Sequence, residues 1–159
     1  MSSHHFAAMT IAIEPISAET TRMITVDSVQ LIELPRHARD DGEVVVAQVA
    51  AQVPFPIKRV FTVTGSLDAV RGDHAHRACT QFVICVHGAV EIICDDGQAA
   101  KTFRLDRNNL ALNVPPTIWN KVIFKEQRSV VIVLCDLPFE EDDYMRDYAK
   151  FLAFRKANS

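Results

Sequence analysis

The chain has 159 residues, of which 48% are hydrophobic and 23% charged, with a formal net charge of −3. That balance suits one soluble domain with a sizeable core. The weak net acidity excludes general phosphate-seeking nucleic-acid binding, and no apolar run reaches the length of a membrane span. The opening MSSHHFAAMTIAIEP lacks a basic head and a long apolar stretch, so no secretory signal is expected. Cys79, Cys85, Cys94 and Cys135 show no C-x-x-C spacing. Free buried thiols and a cytoplasmic location are the corresponding expectations.

Residues 1–22 carry Pro15, Ser17, Thr20 and Thr21, which break any period. They are predicted to form an irregular extension, and His4 and His5 within it read as a bland tail or tag remnant. The ordered pattern begins at Met23 and is predicted to run to residue 159 as a single domain. Short runs rich in Val, Ile, Phe and Thr then succeed one another. The first holds Val29, Leu31, Ile32 and Leu34; strands at 44–49, 57–63, 71–76, 80–86 and 89–94 follow, then 100–105, 110–114, 117–124 and 129–135. Strands so closely spaced predict an all-β sandwich or barrel. A hairpin over 82–94 is expected to turn at His87-Gly88, and another turn at Asp95-Asp96-Gly97. Pro115-Pro116 marks a strand edge or corner. Residues 140–156 read as a helix, with Met145, Tyr148 and Leu152 at helical spacing, acidic residues in the first turn and Arg155 and Lys156 in the last.

The segment richest in chemistry is Arg71-Gly72-Asp73-His74-Ala75-His76. Side chains alternate across a strand, so His74 and His76 project to the same side. Two imidazoles in one cavity suit proton transfer on a small molecule. They also suit a metal. A cupin metal site, however, combines H-x-H with a nearby glutamate and a later histidine. Here Gln81 stands where the carboxylate is expected, and the later strand, Asn113 to Asn120, contains no histidine. Two ligands rarely hold a divalent ion, so no metal is expected. Arg59 and Arg71 fit either rim ion pairs or anion clamps. Trp119 fits either core packing or a pocket wall. Cys85 and Cys94 read as apolar core.

Several segments together resemble the sugar-nucleotide 3,4-ketoisomerases of the cupin superfamily, which act on dTDP-4-keto-6-deoxyglucose. They are Pro54 to Phe61, Arg71 to His76, Gln81 to Cys85 leading into Gly88, Asp95-Asp96-Gly97, Val114-Pro115-Pro116 with Trp119, and Asp143-Tyr144-Met145-Arg146-Asp147-Tyr148. The resemblance spans roughly residues 28–152. It implies a cupin jelly-roll barrel with a C-terminal helix, no cofactor, and a homodimer. It implies an isomerase that converts a dTDP-linked 4-keto-6-deoxyhexose into its 3-keto isomer, toward an aminosugar of lipopolysaccharide or O antigen. His76 is the implied base and His74 its partner; Arg59, Arg71, Gln81, Trp119 and Asn120 are the expected substrate-binding residues. Thr62, Ala89 and Asn120 depart from the residues usual in the family. An epimerase on the same scaffold and a non-catalytic sugar-nucleotide-binding cupin are the alternatives.

Overall fold

The computed structural model describes residues 23–158. The expected extension at 1–22 lies outside the described residues.

Alternating apolar residues fold the chain into β1 (Gln30–Glu33), β2 (Arg36–Arg39), β3 (Gly42–Val45), β4 (Arg59–Gly65), β5 (Val70–His76) and β6 (Gln81–His87). These are followed by β7 (Val90–Asp95), β8 (Ala100–Leu105), β9 (Leu110–Val114), β10 (Trp119–Phe124), β11 (Ser129–Cys135) and β12 (Tyr144–Met145). One helix, α1 (Tyr148–Ala157), closes the chain. Two five-stranded antiparallel sheets result, ordered β1-β9-β6-β11-β4 and β12-β5-β10-β7-β8, with β2 and β3 paired only to each other. The all-β, cupin-like expectation therefore holds.

The main core lies between the sheets. Val83 and Cys85 on β6, Leu112 and Val114 on β9, and Val131 and Val133 on β11 meet Ile92 and Cys94 on β7 and Phe124 on β10. Two smaller clusters cover the outer faces. The irregular 46–58 segment lays Val53 and Phe55 on Phe82, Ile84 and Leu134. Helix α1 lays Phe151 on Ala75, Trp119 and Met145. Strand β6, covered on both faces, is accordingly buried along most of its length, whereas β4 alternates along its whole length.

The strands expected at 44–49 and 57–63 are Gly42–Val45 and Arg59–Gly65, and two further departures change the topology. First, no hairpin joins 82–86 to 89–94, because β6 and β7 belong to different sheets and Gly88 carries the chain across. Gly88 has φ +77°, and a side chain there would collide with Ser129. The Ser129 hydroxyl holds this corner, accepting from Ala89 N at 3.1 Å and donating to Glu126 O at 2.9 Å. The turn at Asp95-Asp96-Gly97 does join neighbours β7 and β8. Second, the helix does not span 140–156 but starts at Tyr148, where Asp147 caps it by accepting from Lys150 N at 3.0 Å. Residues Glu141–Asp143 form a 3₁₀ turn. Tyr144 and Met145 then add a strand to β5, in register with His76 and Ala75. Backbone pairing with an open sheet edge wins over helical spacing here.

Candidate active site

The site is organised by an irregularity in β5. Val122 pairs with Arg71, Lys121 with Gly72 and Asn120 with His74, leaving Asp73 as an extra residue. At this β-bulge both Gly72 (φ +78°) and Asp73 (φ +59°) take left-handed backbone. Strict alternation would put Arg71 and His74 on opposite faces. The bulge shifts the phase, so that Arg71, His74 and His76 all belong to the inner face. Asp73 turns outward, where it accepts from Trp119 Nε1 at 3.0 Å and pairs with Lys121 Nζ at 3.1 Å.

Between the sheets lies a cavity of about 70 Å³ lined by Arg71, His74, Gln81 and Asn120 among Phe61, Val63, Val83 and Val133. The imidazoles of His74 and His76 are 5.0 Å apart, centre to centre, and nearly perpendicular at 82°. From the facing sheet, Arg59 on β4 reaches over Phe61 and Phe139, and its Nη2 donates to Cys135 Sγ at 3.5 Å. Among the described residues, five buried side-chain polar atoms have no hydrogen-bond partner within the chain. Four belong to this cluster: Arg59 Nε, both ring nitrogens of His74, and His76 Nε2. Buried polar atoms are nearly always paired, so a concentration of orphans in one cleft points to groups that a ligand completes.

The protonation states follow from the surroundings. His76 Nδ1 lies 2.7 Å from Asp143 Oδ2. Burial would raise the Asp143 carboxyl, but hydrogen bonds from His76 and from Ala78 N hold it below its usual value. Burial lowers His76, aided by the charges of Arg59 and Arg146 and opposed by Asp143. The pair is therefore a carboxylate facing a neutral imidazole. Its Nδ1–H is pinned to Asp143, and the free lone pair is on Nε2. His74 is pushed down to about 4, mainly by burial and further by His76 and Arg146. The Gly72 carbonyl lies close enough to oppose that shift, yet off hydrogen-bonding geometry.

Of the expected site residues, His74, His76, Arg59, Arg71, Gln81 and Asn120 converge on the space between the sheets. Trp119 does not join them. It precedes Asn120 in β10 and so faces outward, packed by Tyr148 and Phe151 beside a separate recess of about 420 Å³. Thr62 is exposed on the outer face of β4. Cys85 and Cys94 are buried, with thiols raised to about 11 and about 12 by that burial, as befits core residues. The sequence reading missed Asp143 and Tyr144 as site residues. Both lie in the Asp-Tyr-Met-Arg-Asp-Tyr segment, whose first residue reaches His76 across 67 positions of sequence. His76, Cys79 and Asp143 also place possible metal-ligand atoms within 4.8 Å of one another. His76 Nδ1, both Asp143 oxygens and Cys79 Sγ already have partners within the chain, whereas His76 Nε2 has none.

The family described as "FdtA: WxcM-like, C-terminal" matches residues 27–156. The chain belongs to this family. It is 32% identical over 111 residues to the TDP-4-oxo-6-deoxy-alpha-D-glucose-3,4-oxoisomerase of Aneurinibacillus thermoaerophilus, covering 69% of this chain and 80% of that protein. Its fold is similar to that of QdtA, a sugar 3,4-ketoisomerase from Thermoanaerobacterium thermosaccharolyticum solved with TDP. The TM-score is 0.78 at 28% identity, over 82% of this chain and 96% of that one. It is also similar to WlaRA, a TDP-fucose-3,4-ketoisomerase from Campylobacter jejuni, with TM-score 0.73 at 26% identity, covering 80% and 95% respectively. The relatives of this cupin-like chain are thus isomerases of TDP-linked sugars.

Proposed function

We infer that this chain is a sugar-nucleotide 3,4-ketoisomerase acting on a dTDP-linked 4-keto-6-deoxyhexose. The observation that carries the reading is the row of unpaired buried nitrogens on His74, His76 and Arg59. A 4-keto group acidifies the hydrogen on C3. The free Nε2 of His76, with Nδ1–H held by Asp143, is poised to take that proton, giving an enediolate and an imidazolium that Asp143 stabilises. Arg59 is the nearby cation for the enediolate oxygens. Returning the proton from His76 to C4, with the oxygen proton relocated, leaves the carbonyl on C3. Atoms and electrons balance within the sugar, so the reaction consumes no external oxidant or reductant. His74, held neutral, adds a polar wall without a second buried charge, while Arg71, Gln81 and Asn120 supply hydrogen bonds to the sugar. Acid–base help of this kind is worth about 10²–10⁴ in rate.

The wider setting belongs to the same reading. The enzyme works in the cytoplasm on a precursor of surface polysaccharide, as a homodimer. In support of the dimer, every residue of β2 is exposed, and Val44 (60%), Val60 (57%) and Leu31 (50%) present apolar area at β3, β4 and β1. A second copy is the commonest cover for such surface.

The test is to incubate the protein with dTDP-4-keto-6-deoxyglucose in deuterium oxide and follow the sugar by NMR. Appearance of a 3-keto product with deuterium at the former carbonyl carbon supports the reading. Inversion at a carbon with the keto group left in place supports the epimerase alternative. Binding without exchange would leave only a sugar-nucleotide-binding module.

A further inference from the structure

Moving a carbonyl between adjacent carbons needs two proton traffics, one on carbon and one on oxygen. His76, with one free lone pair, is matched to the first. The second needs a group that gives a proton to the C4 oxygen and takes one from the C3 oxygen. His74 is poorly suited to give it, because burial keeps it neutral and a neutral imidazole is a very weak acid. The chain has two tyrosines. Tyr148 is committed elsewhere, its hydroxyl donating to Asp95 Oδ2 at 2.7 Å in the outer recess. Tyr144 is placed differently. It is the residue of β12 directly opposite His76, so its side chain shares the inner face with both histidines. Its ring lies 4.3 Å from that of His76 and 5.0 Å from that of His74, centre to centre.

Cations flank this phenol. The Arg146 guanidinium lies over the ring at 4.3 Å, and the phenol acts electrostatically on Arg59. Arg146 is itself paired with Glu141, whereas Arg59 Nε has no partner within the chain and can face the charge left on the oxygen when the proton is given away. The 3₁₀ turn before β12 brings Asp143 to Nδ1 of His76, and the next residue brings the phenol beside the same imidazole. One short segment thus supplies both the orienting carboxylate and a candidate acid.

We propose that Tyr144 is a catalytic residue, the carrier that relays the proton between the C4 and C3 oxygens during isomerisation; this rests on the ketoisomerase reading. His76 Nε2 takes the proton from C3, and the electron pair moves onto the C4 oxygen. The Tyr144 hydroxyl protonates that oxygen, giving the enediol and a phenolate beside Arg59. The phenolate takes the proton of the C3 hydroxyl, the C3 carbonyl forms, and C4 receives the proton from the His76 imidazolium. Both side chains return to their starting states.

The experiment compares wild-type protein with Tyr144→Phe, which keeps the ring and its packing, using dTDP-4-keto-6-deoxyglucose in deuterium oxide. Expected are unchanged affinity for dTDP, continued entry of deuterium at C3 of the recovered substrate, and a fall of about 100-fold in 3-keto product. A second measurement places 3-fluorotyrosine, a more acidic phenol, at position 144; the alkaline limb of the kcat profile should move to lower pH. Product formation by Tyr144→Phe at the wild-type rate overturns the inference and leaves the ketoisomerase reading standing. So does a loss of exchange in parallel with product, or an alkaline limb that does not move. Wild-type protein that binds the nucleotide sugar but neither exchanges nor isomerises removes the ketoisomerase reading itself, and the Tyr144 relay with it.

Discussion

The two faces of β5 lie on one strand, yet they answer to different demands. On the outer face, Asp73 accepts from Trp119 and pairs with Lys121, while Ala75 is sealed under Met145 and Phe151. The polar groups there find partners within the chain. On the inner face, both nitrogens of His74 and Nε2 of His76 find none. Leaving a buried polar group unpaired costs about 1–3 kcal/mol. The outer face therefore contributes stability, and the inner face carries a cost that a bound sugar relieves. Substitutions on the inner face should remove activity and spare the fold, and substitutions on the outer face should do the reverse.

The sharpest test of that division is His76→Asn. The amide keeps the polar character and a donor toward Asp143, but has no basic nitrogen. Turnover should fall by about 10²–10⁴-fold while the thermal midpoint stays within a few degrees. A variant that loses its fold along with its activity would show the inner face to be structural as well.

His74 allows a test that does not depend on substrate. Its value of about 4 lies below the ordinary 6.5 because the charged form is disfavoured inside the fold. Above pH 6.5 the side chain is neutral in both folded and unfolded chains and contributes nothing to the balance. As pH falls below 6.5, the unfolded chain takes up a proton that the folded chain refuses, so stability drops until about pH 4. The loss due to this residue approaches about 3 kcal/mol. His74→Gln removes the group. Denaturant titrations at pH 7 and pH 4.5 should show a smaller acid-induced loss in the variant than in the wild type. Equal losses would mean that His74 is already solvated.

Asp143→Asn addresses the orientation of His76 rather than its basicity. An amide has one acceptor for the two donors the carboxylate serves, His76 Nδ1–H and Ala78 N–H, and the negative charge that stabilises the imidazolium is gone. The kcat should fall by about 100-fold. The acid limb of kcat/KM should move to lower pH, because an unpaired imidazolium is less stable. An unchanged limb would detach Asp143 from the base.

These residues also show what could be read in sequence. Strands at 71–76, 100–105, 110–114 and 129–135 were legible because alternation or dense β-branched residues mark them. The paired histidines were legible because a spacing of two keeps them on one face. The coming together of Arg71 with His74 was not derivable from alternation, which separates them; it depends on the bulge at Asp73, permitted by left-handed backbone at Gly72 and Asp73. Periodicity alone assigned 140–147 to a helix, and so hid the carboxylate beside His76. The true start is set by an Asp147 cap and by an open edge of β5, a tertiary fact. Likewise the His87-Gly88 turn resembled a hairpin because loop length cannot tell a turn within a sheet from a corner between two.

The smallest effect belongs to Trp119, and it bears directly on the division between the faces. Asn120 lines the inner cavity, and its neighbour Trp119 projects to the opposite side, where Nε1 donates to Asp73 at 3.0 Å and the ring packs on Phe151. Trp119→Phe retains an aromatic ring and deletes the donor, leaving Asp73 with Lys121. Losing one such hydrogen bond costs about 0.5–1.5 kcal/mol, so the thermal midpoint should fall by a few degrees. The KM for the nucleotide sugar should stay within about twofold, because no atom lost from the indole faces the histidines. A large rise in KM with an unchanged midpoint would reverse the assignment. The outer recess would then be part of the substrate site, and the bulge would serve to aim residues into two pockets rather than to divide binding from stability.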